Sequence, residues 1–279
     1  MSTAAPLDAP ELSVDAIDAR AGGENFPVAS LLAPGWARPH LRAIYGFARL
    51  VDTLGDEVEG DRGRLLDALE RELEGPPRTE LMRRVHATIA ARGLPREPFA
   101  RLIEANRIDQ RKTRYETWDE LRDYCTYSAN PVGRLVLGVY GRAGEADLVA
   151  RSDDVCTGLQ LVNFIQDPPR DLALGRVYLP QEDLRRFLVL QDDLAGPVNE
   201  RVASLLRFQA DRARPLLERG IGLAAALGGR AGRSVALFAR GGLAALDALE
   251  RAGYDVFSRR PAPSRARLAG LAARELLRP

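Results

Sequence analysis

The sequence predicts an all-α protein with a single domain. Strict alternation of polar and apolar residues is almost absent, and the chemically distinctive residues instead recur at intervals of three and four. No internal repeat or long linker divides the 279 residues, a length sufficient for one large core. The content of 46% hydrophobic and 28% charged residues is typical of a globular protein.

The predicted helices are bounded by glycines, prolines and polar capping residues. Residues 1–10 lack periodicity and are predicted to be disordered, which leaves 11–279 as the helical domain. A helix over 12–21 precedes a turn and a helical piece that ends at Pro34. Further helices are predicted over 39–57, 62–74, 79–92, 97–112 and 118–128, and Pro131 is expected to kink or restart the last of these. A long helix follows Gly144. The remaining helices are predicted over 181–187, 198–219, 231–252 and near the C-terminus as far as Leu277.

The long helix after Gly144 carries a polar stripe within an apolar segment. Gln160, Asn163, Asp167 and Asp171 follow one another at spacings of 3, 4 and 4, which places them on one helical face. Their neighbours are mostly apolar, so we expect this stripe to face the interior. Buried carboxylates need a counter-charge, and the stripe contains no Lys or His. A bound divalent cation is the compensation that the pattern indicates.

An earlier segment repeats the pattern. Tyr45, Arg49, Asp52 and Asp56 lie at spacings of 4, 3 and 4 on a second predicted helix. Two such helices facing each other would offer oxygen ligands alone, a set that suits Mg²⁺ and its bridges to phosphate. One Asp-x-x-x-Asp pair by itself is more often a solvated helix face with ordinary charges. The presence of two matched pairs favours a metal site.

Composition excludes several classes of function. The net charge of +1 does not favour nucleic-acid binding, and no dinucleotide-binding or phosphate-loop motif is present. Cys125 and Cys156 do not form a Cys-x-x-Cys pair, which predicts buried thiols in a reducing compartment. His40 and His86 are too few for a His-based metal site, so packing or surface roles are expected. No secretory signal or bilayer-spanning run occurs, which predicts a cytoplasmic protein and leaves peripheral contact with the inner membrane face open.

Several longer motifs resemble the squalene/phytoene synthase family. They are YCTYSANPVGR at 124–134, LQLVNFIQD at 159–167 and GRVYLP at 175–180, and the resemblance extends over about residues 22 to 260. ENFPVAS at 24–30 and the wording around Asn163 look closest to the hydroxysqualene synthase branch of hopanoid biosynthesis. The resemblance implies an isoprenoid synthase helical bundle with a central active-site cavity, Mg²⁺, a prenyl diphosphate substrate and pathway enzymes upstream and downstream as partners.

The resemblance also assigns roles to individual residues. It implies that Mg²⁺ is held by Asp52, Asp56, Asp167 and Asp171, that Tyr45, Arg49, Tyr127, Gln160 and Asn163 are catalytic, and that Phe26, Phe164, Tyr178 and Tyr254 contact the hydrocarbon, the last two matching less securely. Arg49 lies one turn from Asp52 and could donate to diphosphate oxygens, or alternatively form a salt bridge to a nearby carboxylate.

The sequence departs from the family pattern at positions that bear on the reaction. The first motif reads DTLGD, whereas other family members often have a second Asp directly after the first. Both outer carboxylates of the motif, Asp52 and Asp56, remain. Glu24-Asn25 and Gln166 replace basic residues of the condensing members, which favours a substrate with one diphosphate, such as presqualene diphosphate. Pro168-Pro169 are expected to kink the second motif and tilt Asp171 away from Asp167.

These features leave three hypotheses. The first is conversion of presqualene diphosphate and water to hydroxysqualene. The second is head-to-head condensation of two prenyl diphosphates, as in presqualene diphosphate or phytoene synthases. The third is a non-catalytic prenyl-lipid-binding subunit, which the two prolines keep open.

Overall fold

The computed structural model describes residues 32–58 and 60–277, and within these residues it is helical without β-strands. One isolated bridge joins Arg114 to Val177. The sequence predictions for residues 1–31 lie outside the described residues: the disorder over 1–10, the helix over 12–21, the turn that follows it, the effect of Glu24-Asn25 and the role of Phe26. The all-α prediction is confirmed.

The helices of the described residues are α1 (Arg38–Asp52), continued by a π-helical turn (Thr53–Glu57), α2 (Arg62–Glu74), α3 (Glu80–Arg92), α4 (Glu97–Arg111), α5 (Trp118–Ser128), α6 (Asn130–Val139), α7 (Ala146–Gln166), α8 (Pro168–Ala173), α9 (Gln181–Arg186), a 3₁₀ turn (Gln191–Ala195), α10 (Glu200–Leu227), α11 (Gly229–Arg251) and α12 (Arg265–Leu276).

The helix ends follow the capping residues in the sequence. Thr79 accepts a hydrogen bond from the Met82 N–H at the start of α3, and Asn199 accepts one from the Val202 N–H at the start of α10. Gly93 ends α3 in the left-handed conformation with φ of 61°. The largest difference from the sequence prediction is α10, which extends beyond 219 to Leu227 and contains Pro215.

Buried side chains form two large groups. One comes mainly from α1–α4 and α6, and the other from α5, α7, α10, α11 and the segment around 177–194. Leu159 on α7 packs against both groups, so α7 joins them. The small residues of α10 and α11 permit close helix contact: a Cβ at Gly220 would lie 2.9 Å from that of Ala239, and a Cβ at Gly242 would lie 2.9 Å from Leu217.

The two histidines form hydrogen bonds within the fold, and the two cysteines are free thiols. His40 Nδ1 is hydrogen-bonded to Thr88 Oγ1 at 3.1 Å, and His86 Nε2 to the Glu72 carbonyl at 2.8 Å. Both cysteines are free thiols, and burial raises the pKa of each to about 12. The hydrogen bonds of the histidines agree with the packing roles predicted for them. The prediction of two buried thiols holds for Cys125, whereas Cys156 is half-buried. None of the helices in 32–58 and 60–277 combines the length and apolarity needed to cross a membrane.

Candidate active site

The second acidic motif spans a junction between two helices. α7 ends at Gln166 and α8 begins at Pro168, so the prediction of one helix through Asp171 is wrong. The prolines occupy the first positions of α8, where their missing N–H groups cost no helical hydrogen bond. The Asp171 N–H still donates to the Asp167 carbonyl at 2.9 Å. The prolines therefore divide the helix while the backbone turn between the two aspartates is kept.

The first acidic motif lies where α1 widens into the π-helical turn. The Val58 N–H donates to the Thr53 carbonyl at 3.1 Å, which closes the wider turn. Gly55 in this turn lies against α4: an added Cβ would be 1.9 Å from Asn106 Oδ1, and Gln110 Nε2 donates to the Gly55 carbonyl at 3.1 Å. Asp52 is exposed and Asp56 is half-buried, so the wider turn separates their environments.

Arg176 connects the first motif to the chain that follows α8. Its Nη1 donates to Asp56 Oδ1 at 2.6 Å and lies 4.0 Å from Asp109 Oδ2. The Arg176 side chain is only 6% exposed, and a buried guanidinium of this kind requires carboxylate partners. Sequence reasoning missed this residue, although it belongs to the GRVYLP motif from which only Tyr178 was taken.

Asp109 on α4 is a further acidic residue that sequence reasoning missed. The Tyr124 hydroxyl donates to Asp109 Oδ2 at 2.6 Å. Burial raises the pKa of Asp109 to about 6, while the hydrogen bond from Tyr124 and the charge of Arg176 act in the opposite direction. Its spacing from the buried Leu102 and Ala105 places it on the inner face of α4, a signal available in the sequence.

Asp171 shows that the two acidic motifs affect each other. Its pKa is raised to about 7, mainly by burial and then by the charge of Asp167, with a smaller contribution from Asp56. Arg170 and Arg176 oppose this rise. The structure thus brings parts of both predicted stripes to one site, while their role as metal ligands stays a prediction.

An aromatic wall adjoins the acidic residues. Phe164 stacks on Tyr178 with ring centroids 4.2 Å apart, and Tyr178 also lies 5.9 Å from Tyr115 and 5.7 Å from Tyr124. A small pocket here is lined by Phe164, Pro168, Asp171, Arg176, Val177, Tyr178, Leu179 and Leu194. Phe164 and Tyr178 therefore lie beside Asp171, so that one pocket combines an apolar wall with ionisable groups.

The other residues of the two stripes lie in mixed environments. Tyr45 and Gln160 are half-buried, whereas Asn163 is exposed, so the prediction that the whole second stripe faces the interior is wrong for Asn163. Arg49 Nη2 lies 3.7 Å from Glu57 Oε1, which is the salt-bridge alternative considered from the sequence. The catalytic roles of these residues stay predictions.

Tyr127 and Tyr254 are covered by arginines. The Arg101 guanidinium lies 5.1 Å from the ring centre of Tyr127, and that of Arg207 lies 5.7 Å from the ring centre of Tyr254. Neither tyrosine lines the small pocket beside Asp171. The catalytic role of Tyr127 and the contact of Tyr254 with the hydrocarbon stay predictions.

A segment after α11 supplies a positive charge to the second motif. Arg260 Nε and Nη2 donate to Asp167 Oδ1 and Oδ2 at 2.5 and 2.8 Å. The adjacent Pro261 carbonyl accepts a hydrogen bond from the buried Gln166 side chain. Sequence reasoning noted that Gln166 is uncharged, but it did not predict that an arginine 93 positions away would lie on Asp167.

The donor chemistry of the site suits a hard cation. Its carboxylates provide oxygen ligands, and the pKa of Asp171 is raised to about 7, first by burial and then by the charge of Asp167. In 32–58 and 60–277, however, no three residues among His, Cys, Asp and Glu are grouped closely enough to hold a metal ion. Two of the four predicted ligands, Asp56 and Asp167, are instead paired with arginines. A cation would therefore have to compete with guanidinium groups for these carboxylates.

Comparison with known proteins decides the family. The sequence pattern described as squalene/phytoene synthase matches residues 19–267. This chain belongs to the squalene/phytoene synthase family. Its fold is the all-α isoprenoid synthase fold, and the family supports an enzyme that acts on prenyl diphosphates.

Individual relatives carry two kinds of name. A hydroxysqualene synthase of Sinorhizobium fredii is 38% identical over 210 residues, which are 73% of this chain and 71% of that protein. A 15-cis-phytoene synthase of Synechocystis is 35% identical over 260 residues, covering 85% of this chain and 76% of that protein. The crystal structure of the squalene synthase HpnC from Alicyclobacillus acidocaldarius has a TM-score of 0.77 and 44% identity, covering 87% of this chain and 94% of that one.

Proposed function

We propose that this protein is a hydroxysqualene synthase, which converts presqualene diphosphate and water to hydroxysqualene and diphosphate in hopanoid biosynthesis. The observation that carries this proposal is the similarity to proteins of that name and to the HpnC structure, at 38% and 44% identity. The residue-level site supports a prenyl diphosphate enzyme in general, because it places an aromatic wall beside carboxylates and arginines.

We propose Mg²⁺ as the cofactor, with Asp52, Asp56, Asp167 and Asp171 as the residues that would hold it. The ion would supply positive charge that neutralises diphosphate as the leaving group. These residues would offer the oxygen donors that a hard cation takes, and Asp56 and Asp167 would have to exchange their arginine partners for it. Arg176 would keep Asp56 in place, since its guanidinium already holds that carboxylate.

The reaction requires a cation to form and then be captured by water. The cyclopropylcarbinyl C–O bond breaks, diphosphate leaves with the electron pair, the carbocation rearranges, and a water oxygen bonds to carbon with loss of a proton. The stacked Phe164 and Tyr178 rings would face the positive carbon skeleton and stabilise it through their quadrupoles. The buried Tyr124–Asp109 hydrogen bond would keep the neighbouring ring in position.

The second candidate is head-to-head condensation of two prenyl diphosphates. It is favoured by the phytoene synthase relative at 35% identity. Arg260 also favours the condensation reaction. The sequence argument for a substrate with one diphosphate was that this region lacks positive charge, and the guanidinium of Arg260 on Asp167 supplies part of that charge. The non-catalytic alternative loses its main support, because Pro168 and Pro169 begin a helix and leave the Asp167–Asp171 turn intact.

The deciding experiment incubates purified protein separately with presqualene diphosphate and with farnesyl diphosphate, with and without Mg²⁺. Products are identified by mass, and released diphosphate is counted per product. Hydroxysqualene formed with one diphosphate, and only with Mg²⁺, is the expected result. Consumption of farnesyl diphosphate with two diphosphates released would instead establish the condensing reaction. Inertness towards both substrates would support a non-catalytic lipid-binding role.

We also propose that the protein works beside the enzymes that supply its prenyl diphosphate and consume its product, and that it contacts the inner membrane face. This follows from the water-insoluble chemistry of the proposed product. Sedimentation of the purified protein with lipid vesicles tests the membrane contact, which would be refuted if the protein stayed in the supernatant.

A further inference from the structure

Tyr178 connects the small pocket beside Asp171 to a buried carboxylate. The Tyr178 ring lines that pocket together with Phe164, whereas Asp109 lies outside the lining that the described residues form. Burial raises the pKa of Asp109, and a hydrogen bond from Tyr178 is among the contacts that lower it. One tyrosine therefore belongs both to the pocket and to the surroundings of a carboxylate behind it.

The Asp109 carboxylate has one oxygen that the fold leaves unused. The residue is 8% exposed, and the Tyr124 hydroxyl donates to its Oδ2 at 2.6 Å. Among the residues that the structure describes, its buried Oδ1 has no hydrogen-bond partner, although buried acceptors are nearly always satisfied. With a pKa of about 6, the carboxyl group is mostly ionised near neutral pH and can still accept a proton.

The surrounding rings hold Tyr178 in a fixed orientation. Its ring stacks on those of Phe164, Tyr124 and Tyr115, with centroids 4.2, 5.7 and 5.9 Å apart. A side chain packed against three rings cannot turn away without disturbing all of them. The hydroxyl therefore stays near Asp109 while the ring faces the pocket.

The proposed reaction contains a step for which no residue has yet been assigned. Departure of diphosphate needs positive charge but no base, whereas capture of the carbocation by water needs a group that takes a proton from that water. Asp171 also lines the pocket, but its oxygens would be engaged with the proposed cation. Tyr178 is the other lining residue with a hydroxyl or carboxyl group, and it alone is backed by a second buried carboxylate.

We propose that Tyr178 and Asp109 form a relay that takes up the proton of the water captured by the carbocation. The water oxygen gives a lone pair to the cationic carbon, one water proton passes to Tyr178 Oη, and the phenolic proton passes to the Asp109 carboxylate. Tyr178 ends neutral, and Asp109 ends as a carboxylic acid that returns its proton to solvent before the next turnover. This inference rests on the proposed function, because it takes hydroxysqualene as the product.

The relay predicts a change in product rather than a general loss of activity. Tyr178→Phe keeps the ring and removes the hydroxyl, and Asp109→Asn keeps a hydrogen-bonding side chain and removes the base. In each variant, diphosphate release from presqualene diphosphate should stay within a few-fold of the wild type. Hydroxysqualene formed per diphosphate should fall about tenfold or more, since general bases contribute roughly 10²–10⁴-fold. Cations that water does not capture would lose a proton from carbon and give alkenes.

Two further variants separate the relay from a structural role. Tyr115→Phe removes the hydroxyl of a neighbouring ring, which has no hydrogen-bond partner among the described residues, and should leave the product ratio unchanged. The double variant Tyr178→Phe/Asp109→Asn should have a ratio no lower than that of the more affected single variant, because the two residues serve one proton transfer. Tyr178→Phe also serves as the test variant if Asp109→Asn does not fold.

The experiment incubates each purified variant with presqualene diphosphate and Mg²⁺, counts the diphosphate released and identifies the products by mass; circular dichroism checks folding. A lower ratio in both single variants, with no further fall in the double variant, would support the relay. A wild-type ratio in Tyr178→Phe, an equal fall in Tyr115→Phe, or parallel loss of diphosphate release and hydroxysqualene would overturn it while leaving the proposed function intact. Failure of the wild type to form hydroxysqualene would overturn both proposals together.

Discussion

The Arg176 guanidinium holds Asp56 at 2.6 Å across 120 positions of the chain. This pair joins the end of the first acidic motif to the segment that follows the second. Asp109 Oδ2 lies 4.0 Å from the same guanidinium nitrogen, Nη1, so Arg176 is close to two carboxylates. Charge balance at the candidate site therefore depends on a residue outside both acidic motifs.

Replacing Arg176 by Gln should destabilise the protein. It would leave Asp109 buried without a cationic neighbour, and the loss of one partner of a buried pair costs roughly 3–5 kcal/mol. Urea unfolding measures the change in the free energy of unfolding. Arg185→Gln is the matched control, because its pair with Glu116 is well exposed on both sides and should contribute no more than about 1 kcal/mol. Equal effects of the two substitutions would contradict the structural role of Arg176.

The aspartates of the two motifs should be required for turnover but not for folding. Asp52→Asn and Asp167→Asn each keep side-chain shape and remove the negative charge that a cation needs. Each variant should lose activity while keeping the far-UV circular dichroism of the wild type. Asp147→Asn on α7 is the control, since this exposed residue pairs with Arg151 on the same helix, and the variant should remain active. Wild-type activity in either motif variant would refute the proposed metal site.

Much of the fold was readable from local signals, as α2 and α5 show. Their starts at Asp61 and Thr117 carry caps, and both helices coincide with the predictions. The break at Asp167 was harder to place because two prolines can either kink a helix or begin one, and only the backbone decides. The π-helical turn at Gly55 lies close against Asn106 of α4, and local sequence signals do not report such a contact between distant parts of the chain.

The candidate site was readable only in part, for a similar reason. Asp56 and Asp171 were identified by spacing on single helices, which is a local property. Arg176 and Arg260 reach their carboxylates across 120 and 93 positions, and no periodicity reports such pairs. Asp109 was missed although helical spacing placed it on a buried face, because no second carboxylate stands three or four positions from it in the sequence.

Gly55→Ala should disturb the π-helical turn that carries Asp56. Its new Cβ would lie 1.9 Å from Asn106 Oδ1, too close to be accommodated without movement. Overpacking of this kind costs about 1–3 kcal/mol, measurable by thermal or urea unfolding. Shortening the neighbour in a Gly55→Ala/Asn106→Ala double variant should recover part of the loss. Gly270→Ala is the control, because its new Cβ would have no atom within 4 Å, and it should not lower the free energy of unfolding. A loss of stability in Gly270→Ala as large as that in Gly55→Ala would contradict a specific clash between Gly55→Ala and Asn106.

The Asp171 carboxyl should make stability depend on pH when cations are removed by a chelator. Its pKa is about 7 in the folded protein against a usual value of 3.8. Between these values the folded state binds more protons than the unfolded state, so the free energy of unfolding falls as pH rises from about 4 to about 7. Asp171→Asn cannot titrate and should lose this part of the dependence.

Urea unfolding of the wild type and Asp171→Asn at pH 5, 6, 7 and 8 measures this difference. Asp109, whose pKa is raised to about 6, is present in both proteins and contributes equally to each curve. The wild type should therefore lose more stability than the variant between pH 5 and 7, and the two curves should approach parallel only at about pH 8, one unit above the folded pKa. Curves that are parallel over the whole range would mean that the pKa of Asp171 is not raised in the folded protein. The proposal that Asp171 needs a cation would then lose this support.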